Sequence, residues 1–222
     1  MDKVNYGEMV KRLKEEFQIG AFPGNDPKSQ EIPKRSPFKV LISTILSQRT
    51  KDANTHKASE ALFDEYGTPK ELADADLEKV KELIRPAGFY NVKAERVKEV
   101  SRIVHERYDD EVPRDLSKLL DMPGVGRKTG NCVLVYGFAE PAVPVDTHVH
   151  RISNRLGIAD TKTPEQTEKV LQEKIPKKYW IEINRLMVEF GKNICQPRRP
   201  KCQICPLTDM CEYFKEVYLD EN

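Results

Sequence analysis

Four cysteines close together in the sequence form its strongest chemical signal. Cys195, Cys202, Cys205 and Cys211 fall within 17 residues, separated by six, two and five residues, while Cys132 stands apart. Such clustering, in a chain that shows no secretory signal, favours a metal centre over a disulfide framework. Zinc sites usually use two short-spaced ligand pairs, and only Cys202 and Cys205 form one here. The spacing predicts a four-thiolate centre and fits an iron–sulfur loop better than zinc.

Basic side chains accompany these cysteines. Between residues 192 and 203 the chain carries four basic residues and no acidic one: Lys192, Arg198, Arg199 and Lys201. The whole chain has 37 basic and 36 acidic side chains, a net charge of +1, which excludes a globally basic nucleic-acid binder but not a local basic face. We therefore predict a local phosphate-binding patch here.

A second motif is a glycine-containing turn between two helical segments. Leu116–Leu120 reads as a helix, Pro123 interrupts it, and a new helix follows the sequence Gly124-Val125-Gly126-Arg127. We expect both glycines to permit positive φ, and the amides at the helix N-terminus to attract an anion such as phosphate. This pattern is the sequence form of a helix-hairpin-helix, which grips a nucleic-acid backbone without reading bases. An ordinary helix–turn–helix connection is the alternative, and the basic pair at Arg127 and Lys128 favours phosphate.

Lys128 lies in the first turn of that second helix, where the positive end of the helix dipole disfavours a charged ammonium. A lysine that can lose its proton is a nucleophile and can form a Schiff base. Taken alone, a solvated lysine or a further phosphate contact is the simpler interpretation.

Asp146 begins another predicted helix, in the sequence Pro144-Val145-Asp146-Thr147-His148-Val149-His150. Its first interpretation is an N-cap, although a carboxylate there could also act as a base or stabilise developing positive charge. His148 and His150 are two residues apart, which places them on different helix faces and argues against a two-histidine metal site.

The elements that must position these residues are helices. Apolar residues recur at helical spacing in four stripes, and no convincing alternating run is present: Tyr6 to Phe17, Phe38 to Leu46, Val97 to Tyr108 and Ile183 to Phe190. This periodicity predicts an all-α fold. With 38% hydrophobic and 33% charged residues, no apolar run of membrane length and no secretory signal, the sequence predicts an intracellular protein with no membrane contact.

Several helix ends are also predictable. Ser36-Pro37, Thr68-Pro69 and Thr163-Pro164 each place a cap residue before a proline. Thr163 with Gln166 fits a capping box, and Gly191 after Phe190 is a predicted helix stop.

Taken together, the hairpin with Lys128, Asp146 eighteen positions later and the cysteine spacing resemble endonuclease III, in the iron–sulfur branch of the helix-hairpin-helix DNA glycosylases. The resemblance covers about Phe38 to Tyr213. It implies a six-helix barrel domain at residues 30–140 and a [4Fe–4S] domain built from residues 1–29 and 141–222, with DNA in the cleft between them.

The resemblance also implies an activity, namely a bifunctional glycosylase and AP lyase that removes oxidised pyrimidines from duplex DNA. The base is flipped out of the stack, the Lys128 amine attacks the sugar C1′, and β-elimination nicks the strand. Asp146 would assist deprotonation and stabilise cationic character at the sugar. The four cysteines would ligate a structural cluster, and we expect a monomer acting on double-stranded DNA with a damaged base or abasic site.

Other positions are carried over from the resemblance as DNA contacts. Phe89 matches an apolar wedge residue where the bacterial pattern has leucine, and His148 matches a histidine beside the lesion. Arg49 stands where the bacterial enzyme typically has the glutamine that fills the gap left by flipping, and Gln48 lies one position early. This departure leaves the opposite-base preference open.

Three alternatives remain at the level of the sequence. A monofunctional glycosylase for thymine or uracil mismatches is suggested by Arg49, since similar patterns occur in mismatch thymine glycosylases, but it has no need of an amine at Lys128. A non-catalytic iron–sulfur DNA-binding protein would use Lys128 only for phosphate. A zinc module would be colourless, whereas an iron–sulfur protein is brown.

Overall fold

The predicted all-α fold is confirmed. The computed structural model describes residues 4–19 and 36–218, and within those ranges the regular structure is helical, with no strand. Among the described helices, none combines the length and apolar character that a membrane span requires. The α-helices run as follows: α1 Tyr6–Glu16, α2 Pro37–Ser47, α3 Asp52–Glu65, α4 Pro69–Asp74, α5 Leu77–Leu83, α6 Tyr90–Tyr108, α7 Leu116–Leu120, α8 Arg127–Phe138, α9 Thr147–Arg155, α10 Pro164–Lys174 and α11 Trp180–Asn193.

The chain divides into two compact units, Glu31–Glu140 and the combination of Met1–Gln30 with Pro141–Asn222. The predicted start of the barrel domain, at residue 30, lies outside the described residues. The later boundary falls between Glu140 and Pro141, in the segment that connects α8 to α9.

The central unit contains α2 to α8. Its α2 packs against α3 and α8, and α4 and α5 pack against the long α6. The apolar stripe predicted in α2 is buried, with Leu41, Ile42 and Ile45 fully inaccessible to solvent. Gly137 of α8 lies against Pro37 at the start of α2, where an added Cβ would come within 3.0 Å of the Pro37 Cα. This packing holds α2 and α8 together. Candidate site residues lie at the C-terminal end of α2 and at the N-terminal end of α8.

The second unit contains α1, α9, α10 and α11. Helix α11 packs against α9 and α1, and Phe190 lies buried among Met9, Leu13 and Ile152. Cys195, Cys205 and Cys211 pack against the same apolar cluster. The cysteine-rich segment is therefore attached to a core that α9 and α11 build.

Helix starts largely follow the predicted chemistry. The side chains of Ser36, Thr68 and Thr163 each accept a hydrogen bond from the backbone N–H three residues later, which confirms the three cap-and-proline starts. The predicted capping box at Thr163 is only half formed, because the Gln166 Oε1 accepts from the Lys162 N–H instead. A complete box forms at Thr68, where Glu71 returns the bond to the Thr68 N–H.

Candidate active site and cluster loop

The turn between α7 and α8 is fixed by close packing at Gly124 and by a hydrogen bond within the turn. Gly124 has φ 77°, and an added Cβ would lie 2.0 Å from the Arg96 Cδ, so only glycine fits there. The Val125 side chain is buried, and its N–H donates to the Met122 carbonyl at 3.1 Å. Gly126 has φ −92°, so of the two glycines only Gly124 uses the positive φ that a glycine permits. Its added Cβ would meet nothing within 4 Å, which leaves room for a ligand to approach the backbone.

The N-terminus of α8 lacks a side-chain cap. Gly126 occupies the N-cap position, whereas α7 and α9 begin with capping aspartates, Asp115 and Asp146. The orphan N–H groups of such an end suit an anion. Lys128, the second residue of α8, is half-buried, and its ammonium forms no hydrogen bond or ion pair with the described residues of its own unit. An amine without a partner among the described residues of its unit thus lies beside an end that can bind phosphate.

Asp146 caps α9 as the sequence predicts. Its Oδ1 accepts from the backbone N–H groups of His148 and Val149, both at 2.9 Å. Its Oδ2 accepts no hydrogen bond from the described part of its unit, and the residue is half-buried. The cap and the chemical role therefore do not compete, since each can use a different oxygen.

His148 lies against Arg151. Arg151 Nη2 is 3.1 Å from the His148 Nδ1, and the same nitrogen lies 2.8 Å from the Cys195 carbonyl and 3.2 Å from the Gly191 carbonyl. A guanidinium can only donate, so this contact favours the tautomer with the ring proton on Nε2. His150 instead pairs with the Thr167 hydroxyl at 2.6 Å, so the two histidines have separate partners.

Gly191 lies within α11, which continues to Asn193, so the predicted helix stop is wrong. An added Cβ at Gly191 would lie 2.4 Å from the His148 Nδ1. The glycine therefore serves the close approach of the histidine ring rather than the end of the helix.

In the central unit, Arg49 and Phe89 lie together. The Arg49 guanidinium carbon is 5.8 Å from the centre of the Phe89 ring, and both side chains are exposed. Gln48 is half-buried, and its Nε2 donates to the Gly124 carbonyl at 2.9 Å. Arg49 and Phe89 are thus brought together at the surface, and Gln48 links the end of α2 to the hairpin.

Lys93 is a site residue that sequence reasoning missed. It is 3% exposed, and its ammonium donates to the carbonyls of Leu46 and Gln48, at 2.6 and 2.5 Å, and to the Thr50 hydroxyl at 2.8 Å. Burial, and then the charge of Arg96, lowers the pKa of Lys93 to about 8. Its position four residues before Val97, in line with the apolar stripe of α6, is the sequence signal that could have indicated this burial.

The four predicted ligands surround one small cavity. Cys195, Cys202, Cys205 and Cys211 all line it, together with Phe190 and Ile194. None of the five cysteines forms a disulfide. Within the described ranges no group of three or more His, Cys, Asp or Glu could hold a single metal ion, so the thiols share a cavity without converging on one point.

The chemistry of this donor set fits a cationic cluster. Burial, followed by the charges of the neighbouring thiolates, raises the pKa of Cys205 to about 12, and burial also raises the pKa of Cys202 and Cys211. Backbone N–H groups nevertheless point at the sulfurs, from Leu207 to Cys205 and from Phe214 to Cys211. Four thiolates here need compensating positive charge, which iron supplies.

Two arginines of α9 hold the loop, and no sequence pattern indicates this role. Arg151 donates to the Cys195 carbonyl at 2.8 Å, and Arg155 donates to the Gln196 and Pro197 carbonyls at 2.7 and 3.0 Å. Arg155 also lies 3.4 Å from the Cys195 Sγ. The loop's own basic residues, by contrast, are all three exposed: Arg198, Arg199 and Lys201.

Comparison with known proteins agrees with this arrangement. Residues 42–177 match the model of the HhH-GPD superfamily base excision DNA repair proteins, and residues 195–211 match the iron–sulfur binding domain of endonuclease III. The predicted [4Fe–4S] cofactor is thereby confirmed.

Individual proteins give the same result. Endonuclease III of Thermotoga maritima is 51% identical over 207 residues, which cover 93% of this chain and 94% of that protein. A solved non-covalent endonuclease III–DNA complex superposes with a TM-score of 0.85 at 33% identity, covering 99% of both chains. A thermostable thymine-DNA glycosylase gives a TM-score of 0.78 at 26% identity, covering 93% and 95%. The predicted resemblance is confirmed, and the chain belongs to the endonuclease III family of base excision DNA repair proteins.

Proposed function

We propose that Lys128 and Asp146 carry the glycosylase and AP lyase reactions of this enzyme. The observation that supports Lys128 is its half-buried amine, without a partner in its own unit, in the first turn of the uncapped α8. The nitrogen lone pair attacks C1′, and the N-glycosidic bond breaks with its electron pair leaving on the base. Ring opening gives an imine to C1′, loss of a C2′ proton follows, and the 3′-phosphate leaves with its bonding pair.

Asp146 and His148 support this chemistry from α9. The free Oδ2 of Asp146 can accept a proton or face positive charge at the sugar, while Oδ1 remains engaged in the cap. His148 can offer an Nε2–H donor, the tautomer that the contact of Arg151 with Nδ1 favours. A rigid carboxylate and a rigid donor suit a sugar whose charge changes during the reaction.

Two surfaces hold the DNA backbone in this proposal. At the hairpin, the free N-terminus of α8 and the open side of Gly126 accept a phosphate, with Arg127 beside it. At the cluster loop, exposed Arg198, Arg199 and Lys201 contact further phosphates. The cluster itself keeps that loop in shape and takes no part in the chemistry.

The substrate we propose is duplex DNA with an oxidised pyrimidine or an abasic site. Phe89 and Arg49 are suited to enter the duplex where the damaged base leaves the stack, and Gln48 steadies them from the hairpin side. We further propose that Glu31–Glu140 is the barrel domain, that the two termini form the cluster domain, and that the enzyme acts on nucleoid DNA as a monomer.

A mismatch thymine glycosylase is the second candidate. It is favoured by the exposed Arg49 beside Phe89 and by the likeness to the thermostable thymine-DNA glycosylase. Lys128 favours the lyase, because an enzyme that uses water as its nucleophile needs no amine at that position.

Replacing Lys128 by Gln tests the nucleophile. We expect strand nicking of a thymine glycol duplex to fall below about a thousandth of the wild-type rate, since removing a nucleophile costs at least that much. Borohydride should trap a covalent complex with the wild type only, and duplex binding should persist. The exposed Lys118→Gln variant is the control, and robust nicking or trapping by Lys128→Gln would refute the assignment.

Asp146→Asn separates the cap from the chemistry, because an asparagine Oδ1 caps a helix as well as an aspartate. We expect the melting temperature to be nearly unchanged while the single-turnover rate of base excision falls by about a hundredfold. A variant as active as the wild type would limit Asp146 to its role as a cap.

Cys202→Ser removes one ligand, and we expect loss of iron, loss of visible absorption and weaker DNA binding. Iron per protein and the absorption spectrum measure this. The buried Cys132→Ala variant, which changes a cysteine outside the cluster loop, should retain its iron. A fully active Cys202→Ser variant with normal iron content would contradict the cluster assignment.

The basic loop is tested by the salt dependence of binding. Replacing Arg198 and Arg199 by Ala should flatten the slope of log affinity against log salt by about 0.9 for each phosphate that the loop no longer binds. Ala substitutions at the exposed pair Lys177 and Lys178, in the same unit, should leave the slope unchanged. An equal slope in all three proteins would remove the loop from the interface.

A further inference from the structure

Exposed apolar side chains are rare in the described residues, and two of them lie together. Phe89 is 62% and Val92 52% exposed, and Ile204 is the third large apolar side chain with such exposure. Phe89 and Val92 share a cavity wall with Arg49 and Arg96. An exposed apolar surface flanked by cationic side chains is unfavourable in water but suits insertion between stacked bases.

The backbone is in an unfavourable conformation at Arg49 and Phe89, which we call the tip residues. Arg49 has φ 52° and Phe89 has φ 59°, the left-handed region that residues with a side chain rarely adopt. Neither residue is glycine, so the surrounding structure must hold both loops in place.

The two loops touch through their main chains. An added Cβ at Gly88 would lie 2.9 Å from the Arg49 carbonyl oxygen, and the Gly88 N–H donates to the Thr50 hydroxyl at 3.0 Å. The loop that carries Arg49 therefore rests directly on the loop that carries Phe89.

Lys93 donates the last hydrogen bond that the carbonyl groups at the C-terminal end of α2 require. The last four carbonyls of this helix, Thr44 to Ser47, have no partner within it. Three are satisfied by nearby groups, since Ser47 Oγ donates to Thr44, the Gln48 N–H to Ile45 and the Thr50 N–H to Ser47. The fourth, Leu46, receives the Lys93 ammonium.

The Lys93 ammonium also binds residues that follow the end of α2. Its other two bonds go to the Gln48 carbonyl and the Thr50 hydroxyl, the residues on either side of Arg49. Lys93 itself is the fourth residue after Phe89 in the first turn of α6, and its N–H donates to the Phe89 carbonyl. One buried side chain therefore joins the backbones on which both tip residues stand.

We propose that Lys93 is a positioning residue that pre-orients Arg49 and Phe89 for insertion into the duplex, so that it supports base flipping rather than bond cleavage. This inference rests on the proposed function, because it assumes that a base is flipped and that an amine then attacks. It predicts that base excision, which requires a base to be flipped out of an intact stack, depends strongly on Lys93. Strand cleavage at a preformed abasic site, where there is no base to flip, should depend on Lys93 much less.

The test compares two substrates under single-turnover conditions, a thymine glycol duplex and a duplex with a preformed abasic site. For Lys93→Met, which keeps the unbranched chain but removes the donors, base excision should fall about tenfold or more, as expected for misplaced contact groups. Cleavage at the abasic site should stay within about threefold of wild type. A 2-aminopurine beside the lesion should report weaker unstacking.

The matched control is Lys98→Met. Lys98 lies on the same helix and its ammonium donates to the carbonyls of Ala73 and Ala75 at the end of α4, away from the Arg49 loop. This variant loses two lysine-to-carbonyl hydrogen bonds, as Lys93→Met does, and both rates should remain near wild type.

Two further variants keep the test independent of folding. Thr50→Val removes one acceptor of Lys93 together with the acceptor of Gly88, and it should shift the two rates in the same direction but by less. In a Phe89→Ala background, Lys93→Met should cause a smaller loss of base excision than in the wild type, because one of the two side chains that Lys93 positions is already gone. Iron content and circular dichroism confirm that each variant is folded.

Several results would overturn the inference: an equal loss of both rates in Lys93→Met, no loss of either, or additive effects with Phe89→Ala. Failure of the proposed function looks different. In that case the wild type itself would give no borohydride-trapped complex at the abasic site, and the Lys93 variants would be compared by the 2-aminopurine signal alone. An unchanged signal in Lys93→Met would then refute the inference on its own.

Discussion

Cationic side chains that donate to backbone carbonyls hold the irregular segments on which the site depends. Lys93 binds the end of α2, Arg151 and Arg155 bind the cluster loop, and Lys98 binds the end of α4. Carbonyls in the last turn of a helix or in a loop lack helical partners, and leaving them buried and unpaired is costly. A charged donor forms stronger bonds than a neutral one and reaches several carbonyls at once. The fold uses part of its positive charge internally in this way, which fits a chain of nearly zero net charge.

Helix ends show how the same physics produces two different sites. Helix α9 begins with Asp146, whose carboxylate occupies the orphan N–H groups and leaves one oxygen free. Helix α8 begins with Gly126, which has no side chain to offer and leaves those groups open. A negative ligand is therefore favoured at α8 and excluded at α9. The difference of one residue type decides which end can bind phosphate and which can present a carboxylate.

Local rules explain what could be predicted from the sequence and what could not. Cap-and-proline pairs, the helix at Leu116–Leu120 and the cysteine spacing all depend on neighbours in the chain, and they are present as expected. The prediction for Gly191 is wrong because its role is the approach of His148, which is distant in sequence. The half-formed box at Thr163 reflects a competing N–H on Lys162. Lys93 lies one turn before Val97 on the buried face of α6, so helical spacing could have indicated its burial, but the acceptors of its ammonium are distant in sequence and could not be predicted.

The tip formed by Arg49 and Phe89 shows the cost of such long-range support. A left-handed conformation at a non-glycine residue costs of the order of 1–3 kcal/mol, and the tip contains two. Burying an ammonium adds a further penalty, which is expressed in the pKa of Lys93 of about 8. A glycine at either tip position would relieve part of this strain. The arrangement is therefore not explained by stability, and it keeps an aromatic ring and a guanidinium at one place on the surface. A surface that must enter a stacked duplex needs such rigidity, because a flexible tip would have to be ordered at the moment of insertion.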